Sequence, residues 1–110
     1  MKVHDVIGNG FQERIYQRCL AIELQNFGLL FQREVEQAIT YAGITVGKRK
    51  ADFVIDGKII VELKALTSLE GIDIMQAKNY LVAFNLPIGL LINFGGVRLE
   101  YKRIFNPYFQ

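Results

Sequence analysis

Hydrophobic and polar positions change period several times along the 110-residue chain. Residues 11–27, "FQERIYQRCLAIELQNF", repeat at helical spacing. Phe11, Ile15, Cys19 and Ile22 form one stripe, and Tyr16, Leu20, Leu24 and Phe27 a second. Gly28 stands where a helix C-terminus favours glycine. The period then shortens to two, and segments 33–42, 48–55 and 59–65 predict three strands, with turns at Gly43 and at Asp56-Gly57. "TSLE", Thr67 to Glu70, has the form of a capping box and predicts a second helix that Pro87 stops. Strands over 88–94 and 97–104 flank Gly95-Gly96. The order is αβββαββ, which predicts an α+β sandwich: one mixed sheet with helices packed on it, a single domain over 1–110.

Charges interrupt this pattern where a core strand would carry Val or Leu. In "IIVELKA", Ile60, Glu62 and Lys64 share one face, against Ile59, Val61, Leu63 and Ala65 on the other. On the preceding segment Asp52, Val54 and Asp56 oppose Ala51, Phe53 and Ile55. Whether Asp52 joins the Glu62 face depends on the loop. A two-residue Asp56-Gly57 loop pairs Asp52 with Val61 and separates them. A three-residue Ile55-Asp56-Gly57 loop pairs Asp52 with Ile60 and makes Glu62 its diagonal neighbour. The odd loop, or an equivalent bulge, is the expectation adopted. Two carboxylates about 4 Å apart would repel by roughly 4 kcal/mol at an effective dielectric near 20. Lys64 offsets part of that, and a hard cation such as Mg²⁺ would offset more. On a helical wheel Glu13 falls in line with Leu20 and Leu24, leaving Gln17, Arg14 and Gln25 on the wet side, while Gln76 and Tyr80 stack four residues apart. Each has a plain reading as well: a solvated Glu62–Lys64 pair, a snorkelling Glu13, and a helix-surface Gln76–Tyr80 hydrogen bond.

A hydrophobic content of 51% argues against disorder, and no apolar run reaches the length of a membrane span. The start, "MKVHDVIGNG", lacks the form of a signal peptide, so the expectation is a soluble cytoplasmic protein. A lone Cys19 excludes an internal disulfide and a cysteine-based zinc cage. The net charge of +2 neither announces nor opposes nucleic acid, and local clusters decide.

The conjunction of Asp52 in "ADF", Glu62-Leu63-Lys64 in "VELKA" and the polar helix pair resembles the PD-(D/E)XK nuclease superfamily, whose αβββαβ core has this element order. "QAKNY", Gln76 to Tyr80, resembles the Gln-x-x-x-Tyr motif of its exonuclease branches. More narrowly, "GFQERIY" (Gly10, Glu13, Tyr16), with "IIVELKA" and "GLLINFG", is similar to the small bacterial GxxExxY proteins from Val3 to Ile104. Relatives usually carry a longer preceding helix, and Gly-Pro-Gly where this chain reads "GNG"; the first departure implies an uncovered apolar face and favours dimerisation or a misplaced start codon. The resemblance implies a Mg²⁺- (or Mn²⁺-) dependent nuclease acting on nucleic acid, DNA in first place. Asp52, Glu62 and the Leu63 carbonyl would bind metal, with Glu13 as a further ligand. Lys64 would act on water and phosphate, and Gln76 and Tyr80 would position that shell. Lys48, Arg49, Lys50, Arg98, Lys102 and Arg103 are the candidate phosphate contacts, a modest set that suggests a homodimer sharing one DNA. The rival is a catalytically idle module of the same fold that binds nucleic acid or protein.

Overall fold

The computed structural model describes residues 2–110. Its elements are α1 (Lys2–Ile7), α2 (Glu13–Asn26), β1 (Phe31–Tyr41), β2 (Ile44–Ile55), β3 (Ile59–Lys64), α3 (Gly71–Ala83), β4 (Ile88–Asn93) and β5 (Glu100–Phe105). The strands form one mixed sheet in the order β1-β2-β3-β4-β5. Only β3 and β4 run parallel, because α3 crosses between them; the other neighbours are antiparallel. The fold is therefore the α+β sandwich read from the sequence, with α1 as an addition.

Alternation along β3 separates the layers. Val61 and Leu63 point to α2 and pack with Tyr16, Leu20, Leu24, Phe53, Ile92 and Phe94. Ile60 points to α3 and packs with Val54, Leu81, Leu91 and Ile104. Of the two stripes on α2, only the second is core, and only as far as Leu24; Phe27 and Ile22 are exposed. Gln17, expected on the wet side, is buried. The reciprocal pair opening α3 is Glu70 with Asp73, whose Oδ2 accepts the Glu70 N–H at 2.9 Å, and not Thr67 with Glu70.

Two hairpin details set up the site. The β2–β3 loop is odd, as expected, but it is Asp56-Gly57-Lys58, closed by the Ile55↔Ile59 pair. The register consequently runs Val54↔Ile60 and Phe53↔Val61, which on continuation sets Asp52 opposite Glu62 and not opposite Ile60. The expected alternation along β2 also fails at one place. β1 and β2 pair through Arg33↔Phe53 and again from Val35↔Ala51, but Glu34 and Asp52 between them are unpaired, and Glu34 has a φ of 50°. Phe53 packs on the α2 side whereas Ala51 and Val35 pack on the α3 side, so Ala51 and Phe53 do not share a face.

Candidate functional site

The site grows from the point where β2 and β3 stop pairing. Their ladder has three pairs, all apolar. Beyond it β2 continues with β1, and β3 continues with β4 through Glu62↔Leu91, Leu63↔Ile92 and Lys64↔Asn93. Asp52 stands in this fork, on the residue where alternation fails. Its Oδ2 accepts the Leu63 N–H at 2.8 Å, replacing the backbone acceptor that β2 no longer offers. Its Oδ1 accepts Gln17 Nε2 at 3.0 Å, and Gln17 Oε1 accepts Arg33 Nη2 at 3.1 Å. Asp52 is thus tied toward α2.

Glu62 looks the other way, toward α3. Its side chain is 15% exposed and pairs with Arg49, itself 13% exposed, whose guanidinium lies 3.9 Å over the Tyr80 ring. Burial pushes the Glu62 carboxyl up to about 7; the Arg49 charge opposes the rise, Asp52 adds to it, and the Arg49 hydrogen bond and Lys64 oppose it. Lys64 lines the same small cavity, about 50 Å³, with Glu62, Arg49, Asp73, Gln76 and Tyr80. Gln76 Nε2 donates to the Tyr80 hydroxyl at 3.3 Å. A larger cleft of about 450 Å³ lies by the closed end of the hairpin, lined by Leu30, Phe31 and Asp56 among others, and contains none of these residues.

Glu13 opens α2 and is exposed as a residue, not seated in the apolar stripe. Loss of water around its carboxyl nonetheless raises its pKa; Lys64 lowers it and Asp52 raises it further, so Glu13 senses the fork. The rest of its motif is structural. Tyr16 is fully buried, stacks on Phe94 at 4.6 Å, donates to the Gly8 carbonyl at 2.7 Å and accepts the Phe11 N–H at 3.2 Å. Gly10, with a φ of 105°, takes a conformation that side chains disfavour. Together they fix how the chain turns into α2 and where Glu13 emerges.

The structure therefore gathers Asp52, Glu62, Leu63, Lys64, Gln76 and Tyr80 around the fork, with Glu13 at its margin. Among the described residues no three acidic, histidine or cysteine side chains form a ready metal cage. The six basic candidates are scattered. Lys48 pairs with Glu36 at 3.5 Å, Arg49 is withdrawn onto Glu62, and Lys50, Arg98, Lys102 and Arg103 are exposed. Lys102 lies opposite Leu91, itself opposite Glu62, so it shares the Glu62 face two strands away, about 10 Å at ordinary strand spacing. Arg103, one residue on, faces the α2 side.

Three further participants do not stand out in the sequence pattern. Gln17 had a signal, since it follows Glu13 by one helical turn. Arg33, which ties Gln17, had none. Asn93 is fully buried at the end of β4; its Oδ1 accepts the N–H groups of Leu66 and Gly95, and its Nδ2 donates to the Leu66 carbonyl and to Glu100. It fixes the chain just after Lys64. A lone amide closing the apolar run "GLLIN" was the available hint.

The family profile described as PD-(D/E)XK nuclease superfamily matches residues 1–104. No curated protein matches the chain. Among solved structures, that of SSO0001 is similar with a TM-score of 0.66 and 29% identity, covering 86% of this chain and 50% of that one. An alkaline exonuclease from Laribacter hongkongensis is similar with a TM-score of 0.61 at 11% identity, covering 84% and 55%, a likeness of fold alone. The chain spans about half the length of either structure.

Proposed function

This chain belongs to the PD-(D/E)XK nuclease superfamily, and from that premise we propose that it hydrolyses phosphodiester bonds of nucleic acid, DNA in first place, with Mg²⁺ or Mn²⁺ as cofactor. The observation that supports the reading is the β2–β3 fork, which Asp52 enters tied toward α2 and which Glu62 and Lys64 border from the α3 side, so that the two carboxylates face different layers yet feel each other's charge. The donor set fits the cation. Carboxylates and a backbone carbonyl are hard oxygen ligands, and each Asp52 oxygen keeps a lone pair beyond its present hydrogen bond. Asp52, Glu62 and the Leu63 carbonyl would hold it, with Glu13 in reach at the margin. A cation so held supplies a water of lowered pKa and neutralises charge on the phosphate.

The protein's own groups do the remainder. Lys64 would orient the attacking water and hold charge as it develops on the phosphate oxygens. Gln76 and Tyr80, already joined, would fix that arrangement from the α3 side. Gln17 holds one Asp52 oxygen in place. The GxxExxY subfamily, the cytoplasm and a homodimer that pools exposed Lys50, Arg98, Lys102 and Arg103 with Lys48 belong to the same proposal. No helix among the described residues is long and apolar enough to cross a membrane.

One observation favours the rival: Arg49 occupies Glu62. A catalytically idle member would bind nucleic acid with a strong salt dependence and cut nothing. The test is an assay on single- and double-stranded DNA and on RNA, in EDTA, Mg²⁺ and Mn²⁺. Cleavage should need the cation, and Lys64→Ala should lower it by on the order of 10²–10³-fold with the fold intact. Cleavage that survives Lys64→Ala would show that another site, or a contaminant, is responsible.

A further inference from the structure

Two buried side-chain polar atoms lack any hydrogen-bond partner among the described residues, Arg49 Nη1 and Gln37 Oε1. One is a donor and the other an acceptor, and their residues sit directly opposite each other in the β1–β2 ladder. Opposed residues share a face of the sheet, with Cβ atoms about 5 Å apart. Arg49 spends its other terminal nitrogen, Nη2, on Glu62 and on the Lys50 carbonyl. Its guanidinium carbon lies over the Tyr80 ring, 3.9 Å from the centroid, and 5.9 Å from that of Phe84.

We infer that Arg49 is the resident cation of the site, holding Glu62 while no metal is bound and passing to Gln37 when Glu62 takes a divalent ion. The inference rests on the metal-dependent reading above and says what that reading requires of this chain. Arginine cannot shed its charge, so on Glu62 Oε1 it competes with a metal for the same carboxylate and repels it at short range. A metal therefore binds tightly once the guanidinium withdraws, and a buried guanidinium needs somewhere to go. Gln37 offers that seat: its unpaired Oε1 matches the unpaired Nη1, so the exchange satisfies both atoms in one motion. The Tyr80 face supports the guanidinium in either seat as long as it stays over the ring within about 6 Å of the centroid, from which it now lies 3.9 Å. Arg49 thus becomes a positioning residue that presents or withdraws Glu62, and not an outer phosphate contact.

Mn²⁺ binding measured by titration calorimetry on the wild type, Arg49→Met, Gln37→Met and the double variant tests this. Methionine keeps the apolar stem against Tyr80 and removes the charge. Arg49→Met should bind Mn²⁺ on the order of tenfold more tightly, a modest coupling between competing occupants. Gln37→Met should bind it several-fold more weakly, because the displaced guanidinium loses its seat, and the same change should do nothing once Arg49→Met is present. A measurement on the wild type covers the case in which a variant misfolds: Mg²⁺ should shift the NMR signal of the Arg49 Nε–H group. Equal Mn²⁺ affinity in wild type and Arg49→Met, or an Arg49 signal that stays put while Mg²⁺ binds, overturns the inference and leaves the metal reading standing. Binding by none of the four proteins overturns the metal reading, and the inference with it.

Discussion

The two ends of the β2–β3 pair are built from the same strands by opposite rules. At the closed end Phe53↔Val61, Val54↔Ile60 and Ile55↔Ile59 are apolar rungs, laddered by backbone and packed on both faces. At the open end the backbone ladder stops, and side chains take over its hydrogen bonds: Asp52 serves Leu63, Gln17 serves Asp52, and Arg33 serves Gln17. An apolar rung specifies position through packing and tolerates no polar atom. A side-chain-held fork leaves polar groups where an apolar rung would stand, and in the proposed reading these are the groups that take the cation. The closed end is where the fold is made secure, and the fork is where it can be given up to chemistry.

The largest effect should come from breaking the closed end. Phe53 is fully buried and meets Phe31 edge-on at 5.7 Å. Phe53→Ala should cost about 3–5 kcal/mol in urea unfolding, a large share of the roughly 5–15 kcal/mol of a typical domain. Metal binding should fall only in proportion to the unfolded fraction. A variant that stays folded yet loses metal affinity would mean that the two ends are not separable as drawn.

That division also explains what could be read from the sequence. The closed end, the β4 run and the Gln76–Tyr80 pair need only period two or the helical turn, and the side chains meet as those periods dictate. The fork needs more. The reversal of faces at Asp52 depends on the unpaired Glu34 across the ladder, 18 residues earlier in the chain, and no local period reports it. A helical wheel treats the polar Gln17 as wet; it is buried because Asp52 is there to receive it. Helix α1 escaped notice because six residues with one buried side chain, Val3, give too little period to detect.

The second effect sharpens the comparison through pH. The Glu62 carboxyl titrates near 7 in the folded protein, above its ordinary 4.5. Between those values the native state keeps a proton that the unfolded chain has released. The stability Glu62 contributes is therefore complete below about pH 4.5 and is lost as pH rises through about 7. The loss approaches about 3 kcal/mol by pH 8. Glu62→Gln cannot titrate, so in metal-free buffer its margin over the wild type should widen by about that amount between pH 4.5 and pH 8. Thermal or urea melts across this range measure it. A margin that is flat with pH would place Glu62 in an ordinary solvated ion pair with Arg49, and would move it to the secure end of the comparison.

The smallest effect discriminates most finely, because it asks how the fork distributes a mismatch. In Asp52→Asn the amide oxygen must face the Leu63 N–H, which leaves the amide nitrogen pointing at Gln17 Nε2, donor against donor. Gln17 can turn its amide over and offer Oε1 instead, but it then presents Nε2 to Arg33 Nη2. Arg33 is exposed and can turn to water. The mismatch is thus passed outward along the chain of three until solvent absorbs it, and the cost should be about 1 kcal/mol, the net worth of one hydrogen bond. Asp52→Ala has no such outlet; it strands the Leu63 N–H and the buried Gln17 together and should cost more, about 1–3 kcal/mol for each group left unpaired. The outward relay makes a further demand. Arg33→Ala should destabilise the wild type slightly, by under about 1 kcal/mol, and should cost nothing in the Asp52→Asn background, where that bond is already gone. Urea melts of the four proteins in this cycle decide it. Additive losses would mean that Gln17 does not turn and that Asp52 is held by Leu63 alone.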